Sequence, residues 1–432
     1  MSGDHDHGDV DRREFLRLAG ASIALAGLDG CTRMPAEHIL PYVDNRPELT
    51  PGVAQYYATA MCVDGVATGL IVEAHDGRPT KVEGNPDHPA SLGASGAIEQ
   101  ASVLQLYDPD RATHARVNRA AAGWSTVANM LSPAVLGARV GARGKGLRFL
   151  IEPTSSPLDE DMLSRVLDRY PDACVHMYAP LVADRASTPV VTQYDLGLAD
   201  VVLAVGSDCL ASGPFHLRHA RRFADRRRLS QPTDSMNRLY AIESSFTPTG
   251  SAADHRFAAR PSDIPALMRS LLAAVSDIPA SHSAAGQSGS SQSASTQSLS
   301  PPPWVSAIAR DLRENAGRAL VIVGDGQPAS VHAAGDAINA AVRATGRTTW
   351  RTPSPLIGSR VAIHPFTELV DAIGAGGGDV DTLIIVGGNP SYATPGILEF
   401  SSLVRRVATV GYVGLYENET ARDASWFVPL SH

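Results

Sequence analysis

Ala199-Asp200-Val201-Val202-Leu203-Ala204-Val205-Gly206-Ser207-Asp208 decides how the rest of the chain is read. Five consecutive aliphatic residues with no polar alternation describe a strand buried on both faces, as in a parallel sheet covered by helices. The Gly-Ser pair behind them marks the carboxyl edge, where open α/β sheets turn and bind ligands. Residues 148–151, 239–242, 319–323, 382–386 and 407–415 repeat the strand pattern, with Glu243-Ser244-Ser245, Gly324-Asp325-Gly326 and Gly387-Gly388-Asn389-Pro390 at three of their edges. Amphipathic stretches separate these runs, so parallel α/β structure is expected from about residue 124 onward. Small residues at the edges suit a nucleotide-type pocket and equally suit any tight strand-to-helix turn; both readings stay open.

Ahead of this region, residues 56–62, 69–73 and 80–83 read as short strands, with Asp76-Gly77-Arg78 as a hairpin turn. Gly84-Asn85-Pro86-Asp87-His88-Pro89 is a second turn cluster, and Leu104-Gln105-Leu106-Tyr107-Asp108-Pro109-Asp110-Arg111 closes a small β-rich module. Residues 281–303 are Ser, Gln, Ala and Gly ending in three prolines, a composition that cannot bury enough apolar area to order itself. The expected organisation is a signal over 1–31, a β-rich module over 32–110, an α/β domain over 111–280, a linker over 281–303 and a second α/β region over 304–432.

The N-terminus reads as an address. Asp11-Arg12-Arg13-Glu14-Phe15-Leu16-Arg17, the apolar residues 18–28 and Leu28-Asp29-Gly30-Cys31 form a twin-arginine export signal with a lipobox-like end. Arg12 and Arg13 would be read by a receptor, and Cys31 would be acylated after cleavage, although Asp29 stands where a small neutral residue is usual. The expected location is the periplasmic, outer face of the cytoplasmic membrane, with a lipid anchor. His5 and His7 precede the cleavage point and are expected to be discarded.

At 432 residues the chain exceeds one domain of roughly 100–200 residues. Its formal net charge of −8 argues against a nucleic-acid clamp, and 6% aromatic residues argue against an aromatic-lined single-strand or carbohydrate binder. Lys81 and Lys145 are the only lysines, so arginine runs reflect a general preference and carry little functional weight. No run of about 20 apolar residues occurs outside the N-terminus. Cys31, Cys62, Cys174 and Cys209 form no CxxC pair, which leaves no local zinc-ribbon or cluster spacing.

Taken in order, several pieces resemble the large subunit of the molybdopterin oxidoreductase family. They are residues 72–86 (VEAHDGRPTKVEGNP) with Leu106-Tyr107-Asp108-Pro109-Asp110-Arg111, the 199–208 strand and edge, Thr247-Pro248-Thr249-Gly250-Ser251-Ala252-Ala253-Asp254 with Arg260-Pro261-Ser262-Asp263, Gly387-Gly388-Asn389-Pro390, and residues 417–429 (ENETARDASWFVP). The resemblance implies a β module holding an iron-sulfur cluster, glycine edges binding two pterin dinucleotides, and a Cys, Ser or Asp on molybdenum. The departures matter more. The module contains Cys62 alone, read as a buried small hydrophobe, and Ser91-Leu92-Gly93-Ala94-Ser95-Gly96 stands where the last cluster cysteine would fall. Cys174 lies in a strand-like run, Ser187 in a loop, and Cys209 reads as a buried thiol, so none is taken as a molybdenum ligand. No catalytic, cofactor-binding or metal-binding residue is assigned.

Within the superfamily the sequence is similar to the molybdopterin-like domain of the iron-sulfur subunit of alternative complex III, a quinol:electron acceptor oxidoreductase. The likeness rests on the leader ending at Gly30-Cys31, Leu40-Pro41-Tyr42-Val43, Thr50-Pro51-Gly52-Val53-Ala54-Gln55-Tyr56-Tyr57-Ala58, residues 100–108 (QASVLQLYD) and Tyr194-Asp195-Leu196. It implies a non-catalytic structural subunit without cofactors of its own. Its expected partners are an iron-sulfur ferredoxin-like polypeptide, a multihaem cytochrome c and a quinol-binding integral membrane subunit, with iron-sulfur clusters and haem c in those chains. An active molybdenum-bis-pterin enzyme of the polysulfide- or dimethyl-sulfoxide-reductase type and a nucleotide-like-ligand-binding lipoprotein are the alternatives. Residues 215–228 (FHLRHARRFADRRR) read as a basic helix that either docks on an acidic partner or is solvated, and His332 starts a helix near a glycine edge. Trp426-Phe427-Val428-Pro429-Leu430 reads as an uncovered apolar strand edge, continued by the iron-sulfur partner, with the second α/β region truncated.

Overall fold

The computed structural model describes residues 50, 52–180, 190–231, 235–276, 302–358, 360–374 and 379–431. Arg12, Arg13, Cys31, Ser187 and all but the last two residues of the 281–303 linker lie outside them. Gln55–Val63 (β1), Val66–His75 (β2) and Arg78–Gly84 (β3) form an antiparallel meander. Its hairpins turn through pairs at positive φ, Asp64 (49°) with Gly65 (80°) and Asp76 (49°) with Gly77 (77°), the backbone that two-residue connections need to preserve strand twist. Cys62, expected to be buried, is exposed: it sits on β1, an edge strand that only β2 covers.

The remaining strands are Ala115–Val117 (β4), Ala120–Ala122 (β5), Leu147–Ile151 (β6), Cys174–Met177 (β7), Val190–Tyr194 (β8), Val201–Val205 (β9), Arg238–Glu243 (β10), His255–Ala258 (β11), Ala319–Val323 (β12), Thr349–Pro353 (β13), Ile363–His364 (β14), Thr382–Val386 (β15), Thr409–Gly414 (β16) and Trp426–Pro429 (β17). They build an all-parallel sheet in the order β11-β10-β9-β12, an antiparallel pair β13-β8, and a sheet ordered β14-β7-β6-β15-β16-β17-β4-β5. The last is parallel from β14 to β17 and antiparallel beyond.

Every residue of β9 is buried because both faces are covered. Val201, Leu203 and Val205 pack with Met268 and Leu271 of the helix Ile264–Ser276, Ile308 and Leu312 of Pro303–Glu314, and Val331 and Ile338 of Ala329–Ala341. Val202 and Ala204 face Leu196 and Phe223. The larger sheet alternates likewise, with Leu147, Phe149 and Ile151 in one core and Leu150, Leu383 and Ile385 in the other. Each such aliphatic side chain contributes roughly 1.5–3 kcal/mol by leaving water.

Two further expectations change. Strands from both sides of the linker share both parallel sheets, β12 pairing with β9 and β15 with β6, so the α/β stretches before and after it are not separate sheets. Composition marks where a chain lacks apolar material, whereas strand order is set by pairing. The C-terminal run is also covered: Trp426 and Phe427 are each 2% exposed, and β4 pairs with them through Val117 and Arg116. The sequence concealed this because β4 is a three-residue strand reaching the far side of β17 from the start of the α/β region. Among the described residues, no helix is long and apolar enough to cross a membrane.

Candidate functional site

The chain leaves β9 toward β10 and β11 on one side, while β12 pairs on the other. This reversal of strand order opens a crevice at the carboxyl ends of β9 and β12, the usual ligand position in an open α/β sheet. The cleft there measures about 770 Å³ and receives Gly206, Ser207, Asp208 and Cys209 from one edge and Gly324, Asp325 and Gly326 from the other. Asp64, Glu99, His216, His219 and His332 line it as well. Asp64, Glu99, Asp208 and Asp325 set four carboxyl groups around the space, and no lysine or arginine is among its described lining residues.

Two buried atoms in this lining have no hydrogen-bond partner, Glu99 Oε1 and His219 Nε2. Glu99 uses its other oxygen to accept the Gly96 N–H (2.9 Å), which starts the helix Ala97–Tyr107. His219 Nδ1 faces the Cys209 carbonyl at 3.3 Å and so carries the proton, leaving Nε2 as an acceptor. Burial, with Arg218 adding to it, pushes the His219 pKa down to about 4 and keeps the ring neutral at physiological pH. Burial also pushes the Cys209 thiol up to about 12, the opposite of what a thiolate ligand requires.

The family-like motifs around this edge serve the chain itself. Asp208 Oδ1 accepts from Thr249 N (2.9 Å) and Thr249 Oγ1 (2.8 Å), while Thr249 Oγ1 accepts from Leu210 N, joining the loops after β9 and β10. Thr247 caps Pro248–Ala252 through Gly250 N and donates its hydroxyl to Glu243 Oε2 at 2.6 Å. Gly324 is required by close packing, since a Cβ there would lie 1.8 Å from the Gly206 carbonyl oxygen. The basic helix, His216–Asp225 with the residues after it, is similarly committed: Arg218 donates to Gln193 (2.7 Å), Arg226 pairs with Asp200 and Arg227 with Asp254. His332 sits half-buried in the first turn of Ala329–Ala341, as its sequence position suggested.

A second reversal lies between β6 and β15 in the larger sheet, where Gly387 (φ 72°) and Gly388 (φ 63°) follow β15. The space their side chains would enter is taken by Glu152: a Cβ on Gly387 would lie 2.4 Å from its Oε2. Desolvation raises the Glu152 pKa, opposed by a hydrogen bond from the Gly388 backbone. Next to it, Asn389 Oδ1 accepts from Thr420 N (3.2 Å) and Thr420 Oγ1 (2.8 Å), Asn389 Nδ2 donates to Glu419 (2.7 Å), and Tyr412 donates to the Gly388 carbonyl (2.6 Å). The Gly-Gly-Asn-Pro and Glu-Asn-Glu-Thr motifs therefore lock onto each other.

These residues do not fit the groups the fold implies. A four-iron cluster needs four thiolates, and the module offers exposed Cys62 alone; Ser91, fully buried, donates to the Asn85 carbonyl (2.8 Å). A polyanionic dinucleotide would meet the carboxyl groups of Asp64, Glu99, Asp208 and Asp325 at the first edge, and at the second the Glu152 side chain already stands against Gly387 and Gly388. Cys174 is on β7 in the larger sheet and does not line the first cleft. The sequence reading missed Glu152, Glu99 and His219, since nothing in their local patterns sets them apart.

No family model matches the chain. Over 107 residues, 24% of this chain, it is 33% identical to the menaquinone reductase molybdopterin-binding-like subunit of Nitratidesulfovibrio vulgaris, a match spanning 15% of that protein. In fold it is similar to the acetylene hydratase of Pelobacter acetylenicus, with a TM-score of 0.59 at 11% identity over 85% of this chain and 61% of that one. The fold is molybdopterin-oxidoreductase-like, with the small antiparallel module and parallel α/β sheets expected of it.

Proposed function

We propose that the chain is a non-catalytic structural subunit of a membrane-associated quinol-oxidising respiratory complex of the alternative complex III kind. Its twin-arginine leader and acylated Cys31 would hold it at the outer membrane face. There it would support an iron-sulfur ferredoxin-like polypeptide, a multihaem cytochrome c and a quinol-binding membrane subunit, whose centres pass electrons to a periplasmic or terminal-oxidase acceptor. The relative named as a menaquinone reductase subunit supports the quinone-linked setting. The observation that carries the non-catalytic reading is that this chain's own side chains occupy the glycine-edge motifs, Glu152 against Gly387 and Gly388 and Thr249 on Asp208. Elemental analysis and pterin release from the purified chain test it. Molybdenum and iron far below one per chain are expected; near-stoichiometric molybdenum with released pterin overturns it.

A second reading, a small-ligand-binding lipoprotein, is favoured by the unpartnered buried Glu99 Oε1 and His219 Nε2 of two residues that line the cleft. It predicts a rise in melting temperature with a nucleotide-like ligand. The four carboxyl groups weigh against anionic ligands.

A further inference from the structure

A different group of side chains lies at the β14 end of the larger sheet. Cys174 opens β7, His364 ends β14, and Glu368 lies in the first turn of the helix Phe366–Gly374. The parallel pairing of β14 with β7, His364 opposite His176, brings them together. One ligand atom each of Cys174, His364 and Glu368 lies within 4.8 Å of the others, and His364 Nδ1 is 3.1 Å from Glu368 Oε2. His364 and Glu368 keep 34% and 50% of their side-chain surface in solvent, so an ion can enter.

An independent observation points the same way. His176 is fully buried, its ring centroid is 5.7 Å from that of His364, and its Nδ1 lies 3.0 Å from the Pro365 carbonyl. Nδ1 therefore carries the proton, and Nε2 keeps a lone pair that meets no partner. A backbone carbonyl fixing the other ring nitrogen is the outer support metal-bound histidines generally have. A thiolate, an imidazole and a carboxylate form the donor set of a borderline-soft divalent ion.

We infer that Cys174, His364 and Glu368 bind a zinc ion, with the buried His176 packed beside them. Binding replaces the thiol proton of Cys174, released to solvent, with the metal–sulfur bond. Arg148, whose Nη1 lies 2.6 Å from Cys174 Sγ, is the cation the ion must displace.

Zinc titration of the chelator-treated full chain, followed by cobalt substitution, tests this. One zinc per chain is expected, together with a near-ultraviolet thiolate-to-cobalt absorption that Cys174→Ser abolishes. His364→Gln and Glu368→Gln should each weaken zinc binding at least about tenfold, no less than losing an outer-shell partner costs. Arg148→Met should tighten it. No saturable uptake at one per chain, or a cobalt band that survives Cys174→Ser, overturns the assignment. If Cys174→Ser fails to fold, Glu368→Gln decides, because its side chain is half exposed: unchanged zinc affinity there overturns the assignment too.

Discussion

Glu243 is 3% exposed and holds its charge because its partners are built around it. Burial works against the charged form, but hydrogen bonds from Thr247 and Arg256 outweigh it and leave the pKa below the ordinary carboxylate value. Arg256 Nε donates at 2.5 Å from β11 to the end of β10. Arg256→Met would strand a buried carboxylate, with an expected loss of about 3–5 kcal/mol in urea unfolding at pH 7; a loss under about 1 kcal/mol would mean water reaches Glu243. His219 has the opposite sign of linkage. Its pKa is about 4 folded against 6.5 ordinarily, so the unfolded chain takes up the proton first. Its contribution is complete above about pH 6.5 and is lost as pH falls toward 4, amounting to about 3 kcal/mol in full. Urea midpoints at pH 7 and pH 5 should show the decline in wild type and a shallower one in His219→Gln. Equal slopes would place the pH sensitivity elsewhere.

At the scale of elements, β17 shows how pairing overrides appearance. Phe427 packs with Tyr412 at a ring separation of 5.7 Å and belongs to the core containing Phe400 and Val410. Phe427→Ala should cost about 3–5 kcal/mol, measured as a fall in the denaturant midpoint. A near-neutral result would return β17 to an exposed edge. The strands legible in the sequence were those buried on both faces: residues 201–205, 319–323 and 382–386 coincide with β9, β12 and β15, because covering helices impose a continuous aliphatic run. The missed strands β8 and β13 have mixed burial and form a pair outside the larger sheets, leaving no period to read. The glycine edges were legible as edges. What occupies them was not, since Glu152 meets Gly387 only after β6 has paired with β15. Cys174, His364 and Glu368 stayed apart for the same reason, until β14 paired with β7.

At the scale of the whole chain, the interleaving of the two parallel sheets makes a prediction that the linear order of the sequence does not. The unit Ala54–His432 contains both sheets, and each draws strands from before residue 281 and after residue 303. Among the described residues, a cut between 281 and 301 falls within no strand pair and no core cluster, whereas separating the halves strips β12 from β9 and β6 from β15. Those contacts bury aliphatic side chains at roughly 1.5–3 kcal/mol each, far more than the marginal stability of a domain can give up. A protease site placed in 281–301 should therefore yield two fragments that co-elute as one species with native circular dichroism. Thermal unfolding of the nicked protein should become concentration-dependent, because unfolding now releases two chains. Residues 111–280 and 304–432 expressed separately should be unfolded or aggregated, and should regain the native signal when refolded together. If either fragment alone instead folds cooperatively, or the nicked halves part on size exclusion without denaturant, the shared sheets do not hold the molecule together and the strand order β11-β10-β9-β12 is wrong.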